Sequence, residues 1–281
     1  MVENVFPYSG GKSRLVKWLK KRFPQHEMYV EPFGGSASVL VNKEPSRMEI
    51  YNDIDSRVVN FFEVFRDRTD ELVEWLDRTP YSRELHDKYA DKYFDAQPDE
   101  MPTEDVARAG IFFYLRYSQL MSKNDSKAGF QSSLGRNTAT TIRNATRNLE
   151  TLRERFADVV IERRDYAKLF DHYDTPDTFF YCDPPYLTKG TDWYEGEFHH
   201  EEFWEEVQKL EGRIMISYME VPDYVPIEEF VVHTKDFAQS QNTVHSDDKR
   251  KTKTRTEKVI MNYDPDEVPT HNIPHDPATQ W

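Results

Sequence analysis

The chain has 281 residues, of which 37% are hydrophobic and 14% aromatic, and its formal net charge at pH 7 is −14. This hydrophobic content is enough for a folded core and excludes a disordered chain, while the length suits one large α/β domain or one domain with an insertion. The one cysteine, Cys182, excludes a disulfide within the chain, and without a cysteine-rich or HExxH motif we expect no metal site. The chain shows neither a membrane-spanning stretch nor a signal peptide, which predicts a cytoplasmic protein, in the host cytoplasm if a virus encodes it.

The negative net charge argues at first against nucleic acid as a partner, because nucleic-acid-binding proteins usually carry a basic surface. Basic residues are nevertheless concentrated in three segments, 1–22, 123–147 and 249–258, where they outnumber the acids. Any one cluster is equally consistent with a solvated helix face, but the three together favour nucleic acid.

The N-terminal segment 7–13, PYSGGKS, superficially resembles a phosphate-binding P-loop. A P-loop requires a glycine where this chain has Phe6, and no strand precedes the segment, so that interpretation fails. We predict instead a turn that leads into a helix containing the apolar residues of 15–19.

Next along the chain, a βαβα pattern predicts a parallel sheet. An apolar strand at 28–30 leads through the turn 31–36 into a helix that Ser36 is expected to cap. A second strand at 47–51 is followed by a helix whose apolar residues lie between positions 58 and 65.

Residues 66–150 interrupt this pattern, because they are charged and rich in predicted helix. Further strands are expected at 159–162, 178–182, 213–218, 229–233 and 258–263, the last two antiparallel. The pattern therefore predicts a discontinuous sheet domain made of 1–65 and 151–263, a helical insertion at 66–150 and a loosely ordered tail at 264–281.

Two turns at strand ends carry candidate ligand-binding residues. Gly34 and Gly35 follow the first strand, where glycine lets a backbone approach a ligand closely, and Asp53 closes the second strand, 22 residues after Glu31. An acid about 20 residues beyond a glycine-rich turn commonly binds a ribose. The glycine turn alone is equally consistent with a tight turn that binds nothing, but together with Asp53 it indicates a nucleoside-bearing cofactor.

The segment 183–186, Asp-Pro-Pro-Tyr, follows an apolar strand and is the most specific feature of the chain. Proline lacks an N–H and fixes φ, so the segment is a rigid loop at the carboxyl end of a strand, where open α/β sheets bind ligands. The Asp183 carboxylate and the Pro184 carbonyl suit the two N–H groups of an amine on a planar base, on which Tyr186 could stack. A base must leave the duplex to reach such a pocket. Taken alone, the segment could also be an ordinary proline-terminated strand.

In their order along the chain, YSGGKSRL, EPFGGSASV, YNDID, FFYCDPPY and TRTEKVIMNYDP resemble the D12 class of N6-adenine DNA methyltransferases, the family of DNA adenine methylase (Dam). The resemblance implies a Rossmann-like class I methyltransferase with a mostly parallel α/β sheet and an inserted helical domain that recognises the DNA target. It implies site-specific transfer of a methyl group from S-adenosyl-L-methionine to N6 of a flipped-out adenine in double-stranded DNA. We expect a monomer or weak dimer with no membrane or metal partner.

The resemblance also assigns roles to residues. The catalytic set comprises Asp183, Pro184, Pro185 and Tyr186. The cofactor-binding set comprises Tyr8, Gly10, Gly11, Lys12, Glu31, Pro32, Phe33, Gly34, Gly35, Asp53, Ile54 and Asp183, with Lys12 also near the target base. The DNA-binding set comprises Lys123, Asn124, Lys127, Gln131, Arg136 and Arg143.

The recognition region departs from the pattern of family members that read GATC. Those members carry Gly-x-Phe-Asn-x-Pro followed by Tyr or Phe and then Gly, whereas residues 129–135 read GFQSSLG, so GATC specificity is not expected. The same pocket would also suit N4 of cytosine, RNA or a glutamine amide, and a non-enzymatic DNA-binding protein on a degenerate methylase fold is a further alternative. Adenine is favoured because Asp183, rather than serine or asparagine, begins the motif.

Overall fold

A computed structural model describes residues 4–8, 10–95, 103–120, 126–132, 137–185, 198–239 and 253–270. In these ranges the strands are β1 (Met28–Glu31), β2 (Met48–Asn52), β3 (Val160–Glu162), β4 (Thr178–Cys182), β5 (Arg213–Tyr218), β6 (Val231–Gln239) and β7 (Lys253–Met261). They form one sheet in the order β3-β2-β1-β4-β5-β7-β6. The first five strands are parallel, and β7 is antiparallel to both β5 and β6. The predicted Rossmann-like α/β class with a mostly parallel sheet is therefore confirmed.

The helices are α1 (Val16–Leu19), α2 (Ser56–Asp67), α3 (Thr69–Asp77), α4 (Arg83–Ala90), α5 (Asp105–Ser118), α6 (Thr138–Phe156), α7 (Tyr166–Tyr173) and α8 (His200–Val207). Five of them begin at a side chain that accepts a first-turn backbone N–H, which is the usual way of satisfying those donors. These caps are Asp55, Ser82, Glu104, Asn137 and Asp165. None of the helices in the described ranges is both long enough and apolar enough to cross a membrane.

Successive residues of the central strands alternate between two apolar layers. Val30 and Phe180 belong to the layer that contains α7 and α8, whereas Tyr29 and Phe179 belong to the layer that contains α1, α2, α5 and α6. Burial on both faces is what parallel sheets require, because helices cover each side.

The helices between β2 and β3 share one core with the sheet. The Phe62 ring lies 4.4 Å from that of Tyr51 in β2 and 5.0 Å from that of Phe156 in α6, while Phe61 lies 5.5 Å from Phe112 in α5. Rings at these separations are in packing contact, so α6 packs against β2 through Phe156, whereas α5 packs against α2. The division of the chain into two domains stays a prediction.

The helix predicted after the glycine-rich turn is absent, and the prediction of Ser36 as its N-cap is wrong. Ala37 adopts a left-handed φ of +53°, which an α-helix does not accommodate. Only a 3₁₀ turn, Leu40–Asn42, forms in this segment. The buried Val39 and Leu40 are fixed in the core by tertiary packing and not by a helix.

The last two strands form a hairpin that is longer than the rest of the sheet. β5 pairs with β7 only from Met215↔Met261 to Tyr218↔Lys258, whereas β6 and β7 remain paired as far as Gln239↔Lys253. The hairpin therefore continues beyond the carboxyl end of β5. Residues 264–270 of the predicted tail turn back towards the sheet, with the Pro269 carbonyl 2.7 Å from the Gln25 N–H, and 271–281 lie outside the described residues.

Candidate active site at the carboxyl edge of the sheet

The predicted site segments meet at one edge of the sheet. β1 lies between β2 and β4, with Val30 opposite Phe180 and Glu31 opposite Tyr51. Because these strands are parallel, the loops that follow them leave the sheet on the same side. The glycine-rich turn after β1, Asp53 after β2 and Asp183 after β4 are therefore neighbours.

The glycine-rich turn packs tightly against β2. A Cβ added to Gly34 would lie 2.1 Å from the Tyr51 ring, a distance that no side chain tolerates. The Tyr51 hydroxyl donates to the Gly35 carbonyl at 2.6 Å, and the Gly34 N–H donates to the Asn52 carbonyl at 2.8 Å. Gly35 has a φ of +48°, which glycine adopts at little cost. Packing and backbone conformation thus require both glycines.

Asp53 fixes this turn while keeping acceptor capacity. Its two oxygens accept the backbone N–H groups of Gly35 and Asp55, both at 2.9 Å. Burial raises the pKa of Asp53 to about 6, against the opposing effect of these backbone hydrogen bonds. Each carboxylate oxygen has two lone pairs, so a further donor can be accepted. The next residue, Ile54, is 43% exposed and adds an apolar surface beside the carboxylate.

The N-terminal turn lies over the glycine-rich turn. The Gly11 N–H donates to the Tyr8 carbonyl at 3.2 Å, and Gly10 takes a φ of +86°. A Cβ on Gly35 would lie 3.0 Å from the Tyr8 ring, so this ring covers the turn. The Lys12 N–H donates to Ser38 Oγ at 3.2 Å and holds the two segments together.

The Lys12 side chain reaches the segment after β4. Its Nζ donates to both oxygens of Asp183, at 2.6 and 2.7 Å, and to the Gly10 carbonyl at 3.2 Å. A second carboxylate, that of Glu257 in β7, has Oε1 3.6 Å from the same Nζ. Ser217 Oγ in β5 donates to this Oε1 at 2.5 Å. One buried ammonium thus lies between two carboxylates.

Three other members of the predicted cofactor set, of which Phe33 is partly buried, pack into the fold. The Glu31 carboxylate is 3% exposed and accepts from the Tyr29 hydroxyl at 3.1 Å, and burial raises its pKa to about 8. The Pro32 carbonyl accepts from the Asn52 side chain at 2.8 Å. The Phe33 ring packs against the ring of Tyr166 at 5.9 Å. These contacts show how the three residues support the turn.

The predicted catalytic and DNA-binding sets are only partly described. Tyr186, Lys123, Asn124 and Arg136 lie outside the described residues. Lys127 forms an ion pair with Asp91 on the insertion. The Gln131 carbonyl accepts from the Tyr81 hydroxyl at 2.6 Å, and Arg143 is exposed on α6. The predicted role of these residues in DNA binding stays a prediction.

The first basic segment lies against the hairpin. Lys235 Nζ of β6 lies 5.9 Å from the centre of the Trp18 ring, and Arg22 Nε donates to His233 Nδ1 at 2.8 Å. Lys17 and Lys21 are exposed on the same segment. We define a basic surface by the exposed Lys17 and Lys21 of the N-terminal segment and the half-buried Lys235 and Arg255 of the hairpin.

Sequence reasoning missed Glu257 and Ser217. Both lie on strand faces that also carry the apolar, buried residues Met215, Val259 and Met261. A charged residue at an inward position of an alternating strand is the signal that could have identified Glu257, because a buried charge requires a partner.

Comparison with known proteins agrees with the motifs. The chain matches the profile of the D12 class N6 adenine-specific DNA methyltransferases over residues 8–259. It is 30% identical over 186 residues to DNA adenine methylase of Escherichia coli K12, covering 64% of this chain and 63% of that one. It is 23% identical over 204 residues to Modification methylase StsI of Streptococcus sanguinis, covering 70% of this chain but 30% of StsI.

A third relative is matched over most of its length. This is Type II methyltransferase M.MjaIII of Methanocaldococcus jannaschii, which is 23% identical over 245 residues that make up 77% of this chain and 84% of the relative. The profile match covers both the amino-terminal turns and the Asp-Pro-Pro segment. The chain therefore belongs to the D12 class N6 adenine-specific DNA methyltransferase family.

Proposed function

We propose that this protein transfers a methyl group from S-adenosyl-L-methionine to N6 of a flipped-out adenine in double-stranded DNA. The observation that carries the proposal is the position of the Asp183 carboxylate. It follows β4 at the carboxyl edge of the sheet, directly before two prolines and beside the glycine-rich turn and Asp53. A hydrogen-bond acceptor for an amine and a surface for a nucleoside thus lie side by side.

The residues at the ends of β1 and β2 fit the cofactor. The remaining acceptor capacity of Asp53 suits the ribose hydroxyls, and the exposed Ile54 side chain suits the adenine face. Because Gly34 and Gly35 have no side chain, the backbone of the turn can approach the cofactor closely. Tyr8 and the turn could then contact the methionine portion of the cofactor. S-adenosylmethionine would supply an electrophilic methyl group.

Asp183 and the Pro184 carbonyl would hold the target amine. The amine lone pair of adenine is delocalised into the ring, and two acceptors on its N–H groups make that pair more available for attack. The nitrogen would form the new N–C bond as the bond between the methyl carbon and the donor sulfur breaks, with S-adenosylhomocysteine as the leaving group. The nitrogen would become positively charged and would then release one proton to water. Unstacking the base costs a few kcal/mol, which contacts to the extruded base must offset.

The family and the motif favour adenine in DNA over the other amines. An aspartate begins the motif, and the named relatives include a DNA adenine methylase. Arg143 on the predicted insertion and the basic surface of the N-terminal segment and hairpin would provide cations for DNA phosphates. We assign target recognition to the insertion, with a sequence other than GATC.

The test compares Asp183→Asn with the wild type and with Asp177→Asn, which removes an exposed carboxylate at the opposite end of β4. Methyl transfer from labelled S-adenosylmethionine to duplex DNA is measured, the product nucleoside is identified by mass spectrometry, and cofactor binding is measured by calorimetry. Asp183→Asn should lose about a hundredfold or more in rate while retaining cofactor binding at least in part, and Asp177→Asn should behave as the wild type.

Three results would contradict the proposal. A methylated cytosine or a methylated RNA in place of N6-methyladenine would change the substrate. Absence of S-adenosylmethionine binding would favour a non-enzymatic DNA-binding protein. Near-normal activity of Asp183→Asn would remove the catalytic assignment.

A further inference from the structure

We infer that Glu257 is a positioning residue: it accepts the Lys12 ammonium when the target amine takes its place on Asp183. The inference rests on the proposed methyl transfer to an amine. Neither Glu257 nor its hydrogen-bond donor Ser217 belongs to the residue sets that the sequence assigned to catalysis, cofactor binding or DNA binding, although Glu257 lies within the motif TRTEKVIMNYDP.

Lys12 already occupies acceptor positions on Asp183. Both of its oxygens accept hydrogen bonds from Lys12 Nζ, at 2.6 and 2.7 Å. The same carboxylate would have to accept a hydrogen bond from the target amine. Lys12 therefore competes with the amine for the acceptor positions of Asp183 unless its ammonium moves.

Glu257 provides the position to which the ammonium can move. Its Oε1 lies 3.6 Å from Lys12 Nζ, so a shift of about 1 Å would produce a charge-assisted hydrogen bond of normal length. Ser217 Oγ donates to the same oxygen at 2.5 Å and holds the carboxylate in place. The acceptor is thus fixed, and the flexible lysine side chain makes the movement.

Burial makes this second partner necessary. The side chains of Lys12 and Glu257 are 4% and 2% exposed, so water has little access to either charge. An ammonium that moves away from Asp183 loses a carboxylate partner at 2.6 Å in a site with little water, which is unfavourable unless a second carboxylate is within reach. Glu257 keeps the ammonium paired in both positions.

The cluster also has an electrostatic consequence for the reaction. Two carboxylates, those of Asp183 and Glu257, face the ammonium of Lys12. The attacking nitrogen becomes positive as its new bond to carbon forms. Fixed charge of opposite sign in a water-poor site stabilises such a transition state, and neutralising Glu257 would remove one negative charge near Asp183.

The experiment measures single-turnover methylation of duplex DNA at saturating cofactor and DNA, with both affinities determined separately. The variants are Glu257→Gln, Glu257→Asp, Ser217→Ala and the control Asp236→Asn, which removes an exposed carboxylate from the neighbouring strand of the hairpin. Glu257→Gln should lower the rate about ten- to a hundredfold, less than loss of a group in direct contact with the reacting atoms. Its affinities for cofactor and DNA should stay within about twofold of the wild type.

The other variants separate charge from structure. Glu257→Asp keeps the charge and should retain more of the rate than Glu257→Gln, and Ser217→Ala should reduce the rate by a smaller factor. If Glu257→Gln does not fold, Ser217→Ala decides, and an unchanged rate in that variant overturns the inference.

The two proposals fail in different ways. An inactive wild type in this assay would overturn the proposed function. An active wild type with an equally active Glu257→Gln, or a rate loss that follows lost cofactor affinity, would overturn only the role of Glu257.

Discussion

At the residue scale, the contact between Gly34 and the Tyr51 ring sets the shape of the candidate cofactor site. The ring is fully buried, and its hydroxyl is bound to the Gly35 carbonyl, so neither partner can move away easily. A methyl group at position 34 would have to displace one of them.

We therefore expect Gly34→Ala to lower the free energy of unfolding by about 1–3 kcal/mol, the usual cost of overpacking, and to weaken S-adenosylmethionine binding. Gly129→Ala is the matched control, because a Cβ there would meet Leu120 at an ordinary 3.5 Å. Urea unfolding and calorimetry measure the two effects. Unchanged stability and affinity in Gly34→Ala would contradict the prediction, because they would show that the turn or the Tyr51 ring can shift to accommodate the added methyl group at little cost.

A second residue-scale prediction concerns Glu31. Burial raises its pKa from 4.5 to about 8, so between these values the native state holds one proton more than the unfolded state. The free energy of unfolding should therefore fall as the pH rises from about 5 to 8, by about 1.4 kcal/mol per pH unit at most, and level off above 8. The variant Glu31→Gln has no ionisable group at this position, so its free energy of unfolding should lack this part of the decrease between about pH 5 and 8.

Urea unfolding of the wild type and Glu31→Gln across this pH range checks the prediction. The amide oxygen of the glutamine can still accept a hydrogen bond from the Tyr29 hydroxyl, as Glu31 does at 3.1 Å in the wild type. The stability of the variant relative to the wild type should increase with pH. Parallel pH profiles for the two proteins would mean that Glu31 is not protonated in the native state.

At the element scale, a buried charge cluster joins α6 to the sheet. Glu49 of β2 accepts hydrogen bonds from Lys43 and from Arg155 near the end of α6, and Arg155 Nη2 also donates to the Leu40 carbonyl at 2.6 Å. Burial lowers the pKa of Lys43 to about 8, although Glu49 opposes the shift. The last helix of the predicted insertion is thus tied to the strand that carries Asp53.

Arg155→Ala should lower the free energy of unfolding by about 3 kcal/mol, because it leaves part of the Glu49 charge unpaired in a buried site. Arg153→Ala, two residues earlier, removes a largely exposed ion pair with Asp70 at 3.3 Å and should cost less than about 1 kcal/mol. Equal losses in the two variants, measured by urea unfolding, would count against the role of this cluster.

The strands were predictable from the sequence because they are short apolar runs that end at turn residues. The strand before Asp183 is an example: Thr178–Cys182 is buried throughout, and prolines stop it. The segment after Ser36 was mispredicted because its small and apolar residues fit a helix, whereas the left-handed Ala37 depends on tertiary packing. Local patterns predict strands bounded by proline or glycine better than turns shaped by neighbouring strands.

At the scale of the whole molecule, the net charge of −14 conceals an uneven distribution. The sequence showed that basic residues cluster in three segments, but not that 1–22 and the last hairpin are neighbours. That proximity arises from the antiparallel addition of β6 and β7 after the parallel strands, which brings Lys235 to Trp18. Lys12 and Glu257 are 245 positions apart, and the addition of β7 to the sheet brings them together. The sequence therefore did not reveal that the Lys12 ammonium lies between two carboxylates.

The basic surface of the N-terminal segment and hairpin leads to a prediction about DNA binding. Each phosphate contact releases condensed counterions, so log K falls with log salt by about 0.9 per contact. If Lys17 and Lys21 contact phosphates flanking the extruded base, Lys17→Ala/Lys21→Ala should reduce the magnitude of this slope by about 2. Lys168→Ala/Lys209→Ala removes two exposed lysines from the α7 and α8 side of the sheet and should leave the slope unchanged.

Fluorescence anisotropy with a labelled duplex over a range of salt concentrations measures both slopes. The Lys17→Ala/Lys21→Ala variant should keep its single-turnover methylation rate once DNA is saturating, because neither lysine belongs to the site. If both double variants lower the slope equally, the effect comes from net charge and not from the basic surface. The attraction between an exposed lysine and a DNA phosphate is largely screened beyond the Debye length, about 8 Å at physiological salt. Only lysines close to the bound duplex can therefore change the slope selectively.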